Sequence, residues 1–327
     1  MAPAVSARDP TLDAVKGFLV VVMALYHAMN YFAEMPAGVY GHLRFVNGAF
    51  VFLAGYVVAV FHAGPAHPGA AARLAWRGIK LLLLFSALNL AIGALGLTNY
   101  RQVEYSVAGY LARAGRIYAG GEDVQVAFRI LVPIGYLLLL ASLWLLRPQA
   151  RRPLALAALA AAALYTWRDA PAPNVFFVLT GGVGLALGVL VDPARVPTLR
   201  HVPAIVAGLL LLSAAMNLLS GNALAYGLGL ALLLKLVQDL ARRLPATGRT
   251  LQLAARLGRY SLLCYIGQIA LLFMLHRTLR VAGLAGGAAW LPAFVVTCVA
   301  LVAACTLLDR LRPRAPWVER TYRMVFA

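Results

Sequence analysis

Long apolar runs, rich in Leu and Ala and almost free of charge, recur along this chain and end in short clusters of Arg, Pro or Gly. A helix rises about 1.5 Å per residue, so about twenty residues cross roughly 30 Å of hydrocarbon. Within hydrocarbon every backbone polar group must be paired inside the protein, which leaves helices or a closed barrel. The runs show no period-two alternation, so a barrel is disfavoured. The pattern predicts an all-α fold, a polytopic transmembrane helical bundle. Windows about nineteen residues wide place about ten TM helices near 13–33, 43–62, 76–96, 126–146, 153–168, 174–191, 201–219, 222–238, 254–275 and 286–308, in a single integral membrane domain over 1–327.

Positive charge supplies the topology. Lys and Arg of short loops prefer the cytoplasm. With the N-terminus inside, the cytoplasmic segments hold Arg8, then Arg73 and Arg77, then Arg147, Arg151 and Arg152, then Arg195 and Arg200, then Arg242 to Arg259, and last Arg310 to Arg323. Most outer loops are poorer in charge, carrying Arg44, Arg168, or Arg277 and Arg280. An even number of spans with both termini cytoplasmic follows. The first apolar stretch is too long for a removable leader, begins with Asp13 and Lys16, and is expected to remain as the first span.

One outer loop, from Thr98 to Gln125, is long and polar, with Arg101, Glu104, Arg113, Arg116, Glu122 and Asp123. Tyr100, Tyr105, Tyr110 and Tyr118 recur along it. Two readings fit: an interfacial amphipathic helix with tyrosines at headgroup depth, or a lid on which an acceptor could stack.

Composition agrees with the pattern. The 327 residues are 62% hydrophobic and 12% charged, with mean hydropathy +0.81, far from a soluble domain. A formal charge of +18 invites nucleic acid as a partner, but the arginines lie at span ends, and no nucleic-acid partner is expected. Cys264, Cys298 and Cys305 lie in late apolar segments with no disulfide framework to be read. No spacing of His and Cys suggests a metal site, Cys298 and Cys305 lacking a nearby third ligand.

Ionisable groups within a span are costly, which makes them functional candidates. On the first span Lys16 and His27 are eleven positions apart, three turns plus about 20°, so they share a face at a separation of roughly 16 Å along the axis. Asp13 and Asn30 broadly extend that stripe. Lys16 has two readings: snorkelling at the cytoplasmic interface beside Asp13, or ligand binding. His27, between Tyr26 and Ala28, has the near-neutral imidazole of a general base or can serve helix–helix hydrogen bonding. Asn47, Asn89, Tyr56, Arg129, Ser261 and Gln268 are further polar candidates to line a cavity. His276 is expected at the outer interface, and His62 and His67 at the inner.

The segment from Leu12 through Asp13, Lys16 and Gly17 to Tyr26 and His27 resembles the first-helix signature of the acyltransferase-3 superfamily, an Arg or Lys followed by ten residues and a His. The run from Phe45 to Tyr56, which includes Asn47, Phe50 and Gly55, resembles the second-helix motif of its OpgC-like branch, which modifies periplasmic glucans. Arg73 and Arg77 stand where that family has a basic pair, and Leu257 to Ser261 is similar to its late signature. The chain departs in Lys16, where Arg is commoner, and in Ala54, where Ser is usual. Lysine offers a point charge where arginine offers a planar fork.

The resemblance implies an acyl-CoA-dependent enzyme of a bacterial-type inner (cytoplasmic) membrane. Lys16, Arg73 and Arg77 would hold the nucleotide phosphates, and His27 would activate a hydroxyl of an extracytoplasmic glycan or carry the acyl group itself. The donor would supply acetyl, succinyl or a similar short acyl group, with acyl-CoA as donor substrate and no metal. Two rival readings stay open on the residues: a secondary transporter with Lys16 and His27 as coupling groups, and a structural subunit with incidental polar groups.

Overall fold

The structure, a computed structural model, describes residues 9–33, 39, 42–62, 69–95, 106–121, 126–166, 172–192, 195–245, 248–284 and 286–326. Arg8, His67, Tyr100, Arg101, Glu104, Tyr105, Glu122, Asp123 and Arg168 lie outside the described residues. The helices are α1 (Pro10–Phe32), α2 (Phe45–His62), α3 (Ala70–Ala94), α4 (Val107–Ala119), α5 (Leu131–Leu145), α6 (Arg151–Leu164), α7 (Pro173–Leu190), α8 (Val202–Leu219), α9 (Ala223–Ala241), α10 (Arg249–Arg259), α11 (Ser261–Val281), α12 (Trp290–Leu311) and α13 (Pro316–Phe326). The sole extended pairing among the described residues is an isolated bridge between Thr166 and Asn222. Among the described residues, eight helices are long and apolar enough to cross a membrane. This is an all-α membrane protein.

Two of the ten expected spans come out shorter. The windows near 126–146 and 153–168 become α5 and α6, fifteen and fourteen residues long, and bent from each other by 112°. Pro148 explains the break, because a residue before proline is driven from helical geometry, and Arg147 has φ −120° and ψ 71°. The corner is then tied across: Trp144 Nε1 donates to the Arg151 carbonyl, and the Arg151 guanidinium donates to that of Leu145, both at 3.1 Å. The window near 254–275 is also corrected. It contains a helix end at Tyr260 (φ −103°, ψ 25°) that separates the amphipathic α10 from the span α11. A hydropathy average runs straight through that break.

The chain divides into two compact units, Met1–Val46 with Leu199–Leu211 and Leu234–Ala327, and Asn47–Thr198 with Leu212–Leu233. In the first, α1 starts on the Asp9 cap, whose carboxylate accepts from the Thr11 N–H at 2.9 Å, with Pro10 opening the first turn. Helix α10 crosses α1 with no room for a side chain: a Cβ at Gly17 would overlap the Ala254 carbonyl, and one at Gly258 the Asp13 carbonyl. Leu251 closes this contact against Ala14 and Ala241. Further along, Ala28 and Phe32 of α1 pack in one cluster with Leu272 of α11 and Ala293 of α12. The His276 ring lies 5.4 Å from that of Phe32.

The two ends of α11 therefore meet the two ends of α1 in the same order, so these helices run parallel. Helix α12 returns antiparallel to α11, with Cys264 Sγ 3.4 Å from Cys305 Sγ at one end and Leu272 beside Ala293 at the other. In its last turn α12 is fastened by Asp309, which accepts from the Tyr260 hydroxyl at 2.6 Å and pairs with Arg256 at 2.9 Å. Arg312 joins Glu319 at 2.5 Å and so seats α13. Arg312 and Arg323 hold the Glu319 carboxyl down at about 2, while burial and the Asp309 carboxylate push the Tyr260 hydroxyl up.

Glycine contacts also build the second unit. Gly55 of α2 faces the Gly181 carbonyl of α7, Gly184 faces Phe52, and Gly188 faces Tyr56 and Ala59, a parallel pair at backbone contact distance. Gly78 of α3 meets Gly135 of α5. Asn89 latches the segment before α5, donating to the Ala127 carbonyl at 3.1 Å and accepting from its N–H at 2.9 Å. The next residue, Phe128, has φ 59°, a left-handed conformation rare outside glycine. The segment between α3 and α5 contains the amphipathic α4, docked by Tyr118, whose hydroxyl shares a 2.5 Å hydrogen bond with Ser86, and by Asn174, whose amide donates to the carbonyls of Ile117 and Tyr118. Burial and the Tyr118 hydroxyl push Tyr110 up to about 12. Both described tyrosines, Tyr110 and Tyr118, are thus engaged within the protein.

Candidate functional site

The first unit holds the stripe expected on α1. Lys16 Nζ lies 3.0 Å from an Asp13 oxygen, one helical turn back, with the lysine side chain 22% exposed and the aspartate side chain 5%. The cation is therefore present but already compensated. Asp13 is held where Gly258 lets α10 approach, so the pair lies at a helix crossing with no room for a side chain. Eleven residues on, the His27 ring meets Tyr26 edge-on at 5.2 Å. Its Nε2 is buried and has no hydrogen-bond partner among the described residues. A buried imidazole nitrogen without a partner costs stability, and such groups call for a functional explanation.

Gln268 shares that property. It is fully buried on α11, and neither amide atom has a hydrogen-bond partner among the described residues. It lies one turn before Leu272, which shares a packed cluster with Ala28, the neighbour of His27. Helix geometry thus brings two unpartnered polar side chains of adjacent helices within about a turn of one packing contact. Ser261 is half-buried at the start of α11, and Asn30 half-buried on α1.

The other expected residues belong to the second unit. Arg73 and Arg77 are exposed on the first turns of α3. Asn47, Phe50 and Tyr56 are half-buried on α2. Gly55 acts as a packing residue, and Asn89 is spent on the Ala127 latch. Arg129 is exposed in the turn before α5, not enclosed.

Sequence reasoning passed over a second ion pair within a span. Lys235 Nζ lies 2.6 Å from Asp239, whose side chain is 1% exposed and also pairs with Arg242 and accepts from the Leu199 N–H. The signal was available as a Lys and Asp four residues apart at the end of the eighth window, with Asp239 one residue past it. Gln238, beside Asp239, donates to Thr11 at 3.4 Å, so this pair stands by the start of α1. The described residues contain no group of His, Cys, Asp or Glu able to hold a metal ion.

The apolar helices define an integral membrane protein, and its first helix carries a half-buried histidine whose Nε2 is enclosed. Compared with family models, curated proteins and solved structures, the chain matches none.

Proposed function

We propose that this protein is a transmembrane O-acyltransferase of the acyltransferase-3 kind, moving a short acyl group from cytoplasmic acyl-CoA to a hydroxyl of an extracytoplasmic glycan. The observation that carries the reading is the unpartnered, buried Nε2 of His27, eleven residues beyond the Lys16–Asp13 pair on one helix. A base must accept a proton from its substrate, so its nitrogen must not be spent on a protein donor. Nε2 takes the proton of the acceptor hydroxyl as the oxygen bonds to the thioester carbonyl carbon. The C–S bond then breaks, the sulfur leaves as thiolate, and the proton passes from the imidazole to it. Lys16, Arg73 and Arg77 are assigned to the donor's phosphates, which suit charge-assisted contacts.

Ten crossings with both termini cytoplasmic, in a bacterial-type inner membrane, complete the proposal. Parity supports the count. Helices α2 and α7 run the same way, as do α1 and α11. Each parallel pair requires an even number of crossings from the start of one helix to the start of the other, so α5 and α6 together contribute two or none, and never one. Two is adopted because both are apolar and their shared turn carries Arg147, Arg151 and Arg152.

The test is transfer of label from radiolabelled acetyl- and succinyl-CoA to candidate glycans by purified protein, with His27→Ala beside it. Transfer by the wild type, reduced at least a hundredfold in the variant, is expected. Vesicle-reconstituted protein that moves a solute but transfers no acyl group would replace the enzyme by a carrier.

A further inference from the structure

We infer that Gln268 forms, with His27, a membrane-embedded subsite for a neutral amide, and that its ligand is the amide of the donor's pantetheine arm nearest the sulfur. Both atoms of the Gln268 amide are buried without a partner among the described residues, at zero exposure. Polar residues of membrane helices ordinarily bond across to a neighbouring helix, which removes the cost of burying them. Gln268 does not. A Gln amide offers one acceptor oxygen and two donor hydrogens, so a neutral ligand group that can donate or accept meets it on either atom. A trans secondary amide is such a group, and because its N–H and C=O point to opposite sides it engages Gln268 through one of them, the N–H to the Gln oxygen or the C=O to the Gln NH2.

Charge points the same way. The unpartnered imidazole nitrogen and amide of this region lie within the spans, whereas the nearest described ion pairs of α1 and α12 are at the helix ends, at Asp13 and Asp309. A phosphate or carboxylate would lack a counter-charge here. Order along the bilayer then selects the part of the donor. Because α1 and α11 run parallel, with Leu272 at the level of Ala28, Gln268 stands about one turn nearer the Lys16 end than His27 does. That offset is roughly 4.5 Å along the axis. In the pantetheine arm a two-carbon unit separates the sulfur from the first amide. With that amide on Gln268, the thioester comes level with His27, and the rest of the arm runs toward Lys16. The identity of the amide rests on the acyltransferase reading; the existence of the subsite does not.

Binding of pantetheine and of hexanethiol, an amide-free thiol, is measured by calorimetry on the full chain in detergent, for wild type and Gln268→Leu. Gln268→Leu should weaken pantetheine about tenfold, the worth of one hydrogen-bonded pair, and leave hexanethiol unchanged. Its unfolding midpoint should equal or exceed that of wild type, since an unpartnered polar group is replaced by an apolar one. Equal pantetheine affinity in both proteins, or the same loss for hexanethiol, overturns the subsite. Acyl transfer assayed on the same samples separates the two readings. Transfer without a Gln268 effect sinks the subsite alone, Gln268-dependent binding without transfer sinks the enzyme alone, and no pantetheine binding by wild type sinks the subsite whatever the transfer result.

Discussion

Asp13 changes what Lys16 can do. Read from spacing, Lys16 is either a snorkelling cation or a ligand for the donor. The structure gives it a carboxylate 3.0 Å away whose own side chain is 5% exposed, so any anionic ligand competes with Asp13. Truncation of Lys16 consequently has two effects. Lys16→Ala removes the cation beside a buried carboxylate and should cost about 1–3 kcal/mol of stability, less than a fully buried pair because the lysine is partly exposed. Lys16→Arg keeps the charge, and Lys16→Met combined with Asp13→Asn removes both charges, so both should unfold near the wild-type midpoint. Thermal unfolding in detergent checks this. A Lys16→Ala midpoint equal to wild type would mean the pair contributes nothing, and lost donor binding could then be read directly as a lost contact. His27 was legible because an imidazole in an apolar run is rare. The tertiary role of Asn89, spent on Ala127, was not, because sequence cannot tell a latch from a ligand-facing amide. Lys235 and Asp239 were legible in principle, as an i,i+4 pair inside a span.

At the scale of elements, the apolar windows found α1, α2, α7, α8 and α9 to within a few residues, since hydropathy alone decides where a long helix is buried in lipid. The windows near 126–146 and 153–168 already left the Pro148 corner between them, whereas the window near 254–275 failed at Tyr260, where local backbone geometry overrides the average. That failure matters for the site. Helix α10, which the windows merged into a span, is the element that meets α1 at Asp13 and Gly17. Its Gly258 belongs to the late signature read from Leu257 to Ser261, and the structure gives that glycine a packing reason: a Cβ there would overlap the Asp13 carbonyl. Gly258→Val should force α10 off α1, destabilising the protein by about 1–3 kcal/mol as an overpacked contact. It should also displace the Asp13–Lys16 pair. The unfolding midpoint and donor affinity should therefore fall together, whereas Gly115→Val on α4, where a Cβ meets open space, should change neither beyond the ordinary cost of a β-branched residue in a helix. A Gly258→Val protein with wild-type midpoint would show that α10 does not need this contact.

At the scale of the whole molecule, the direction of each helix decides which side of the membrane sees which residues. Parallel pairing of α1 with α11 and of α2 with α7 requires that α5 and α6 return the chain to the side from which it entered. That still leaves two topologies, a hairpin that crosses twice and one that dips and returns, and they differ in where the Pro148 corner emerges. If it crosses twice and the N-terminus is cytoplasmic, as proposed, the corner is cytoplasmic, in line with Arg147, Arg151 and Arg152. A chain in which Cys264, Cys298 and Cys305 are replaced by Ala can carry single reporters at exposed turns: Gln149→Cys in the corner, Gly115→Cys on α4, and Gly283→Cys after α11. A membrane-impermeant maleimide added to intact cells should label the Gly115 and Gly283 reporters, and should reach the Gln149 reporter only after permeabilisation. Labelling of the Gln149 reporter in neither condition would make the α5–α6 pair re-entrant and the count eight. Labelling of all three in intact cells would put the corner on the outer face, contrary to its arginines and to the ten-crossing topology. Only the first outcome leaves His27 late on an outward-running first helix within a ten-span bundle, with the donor's charge held at the cytoplasmic end and the acceptor arriving from the other.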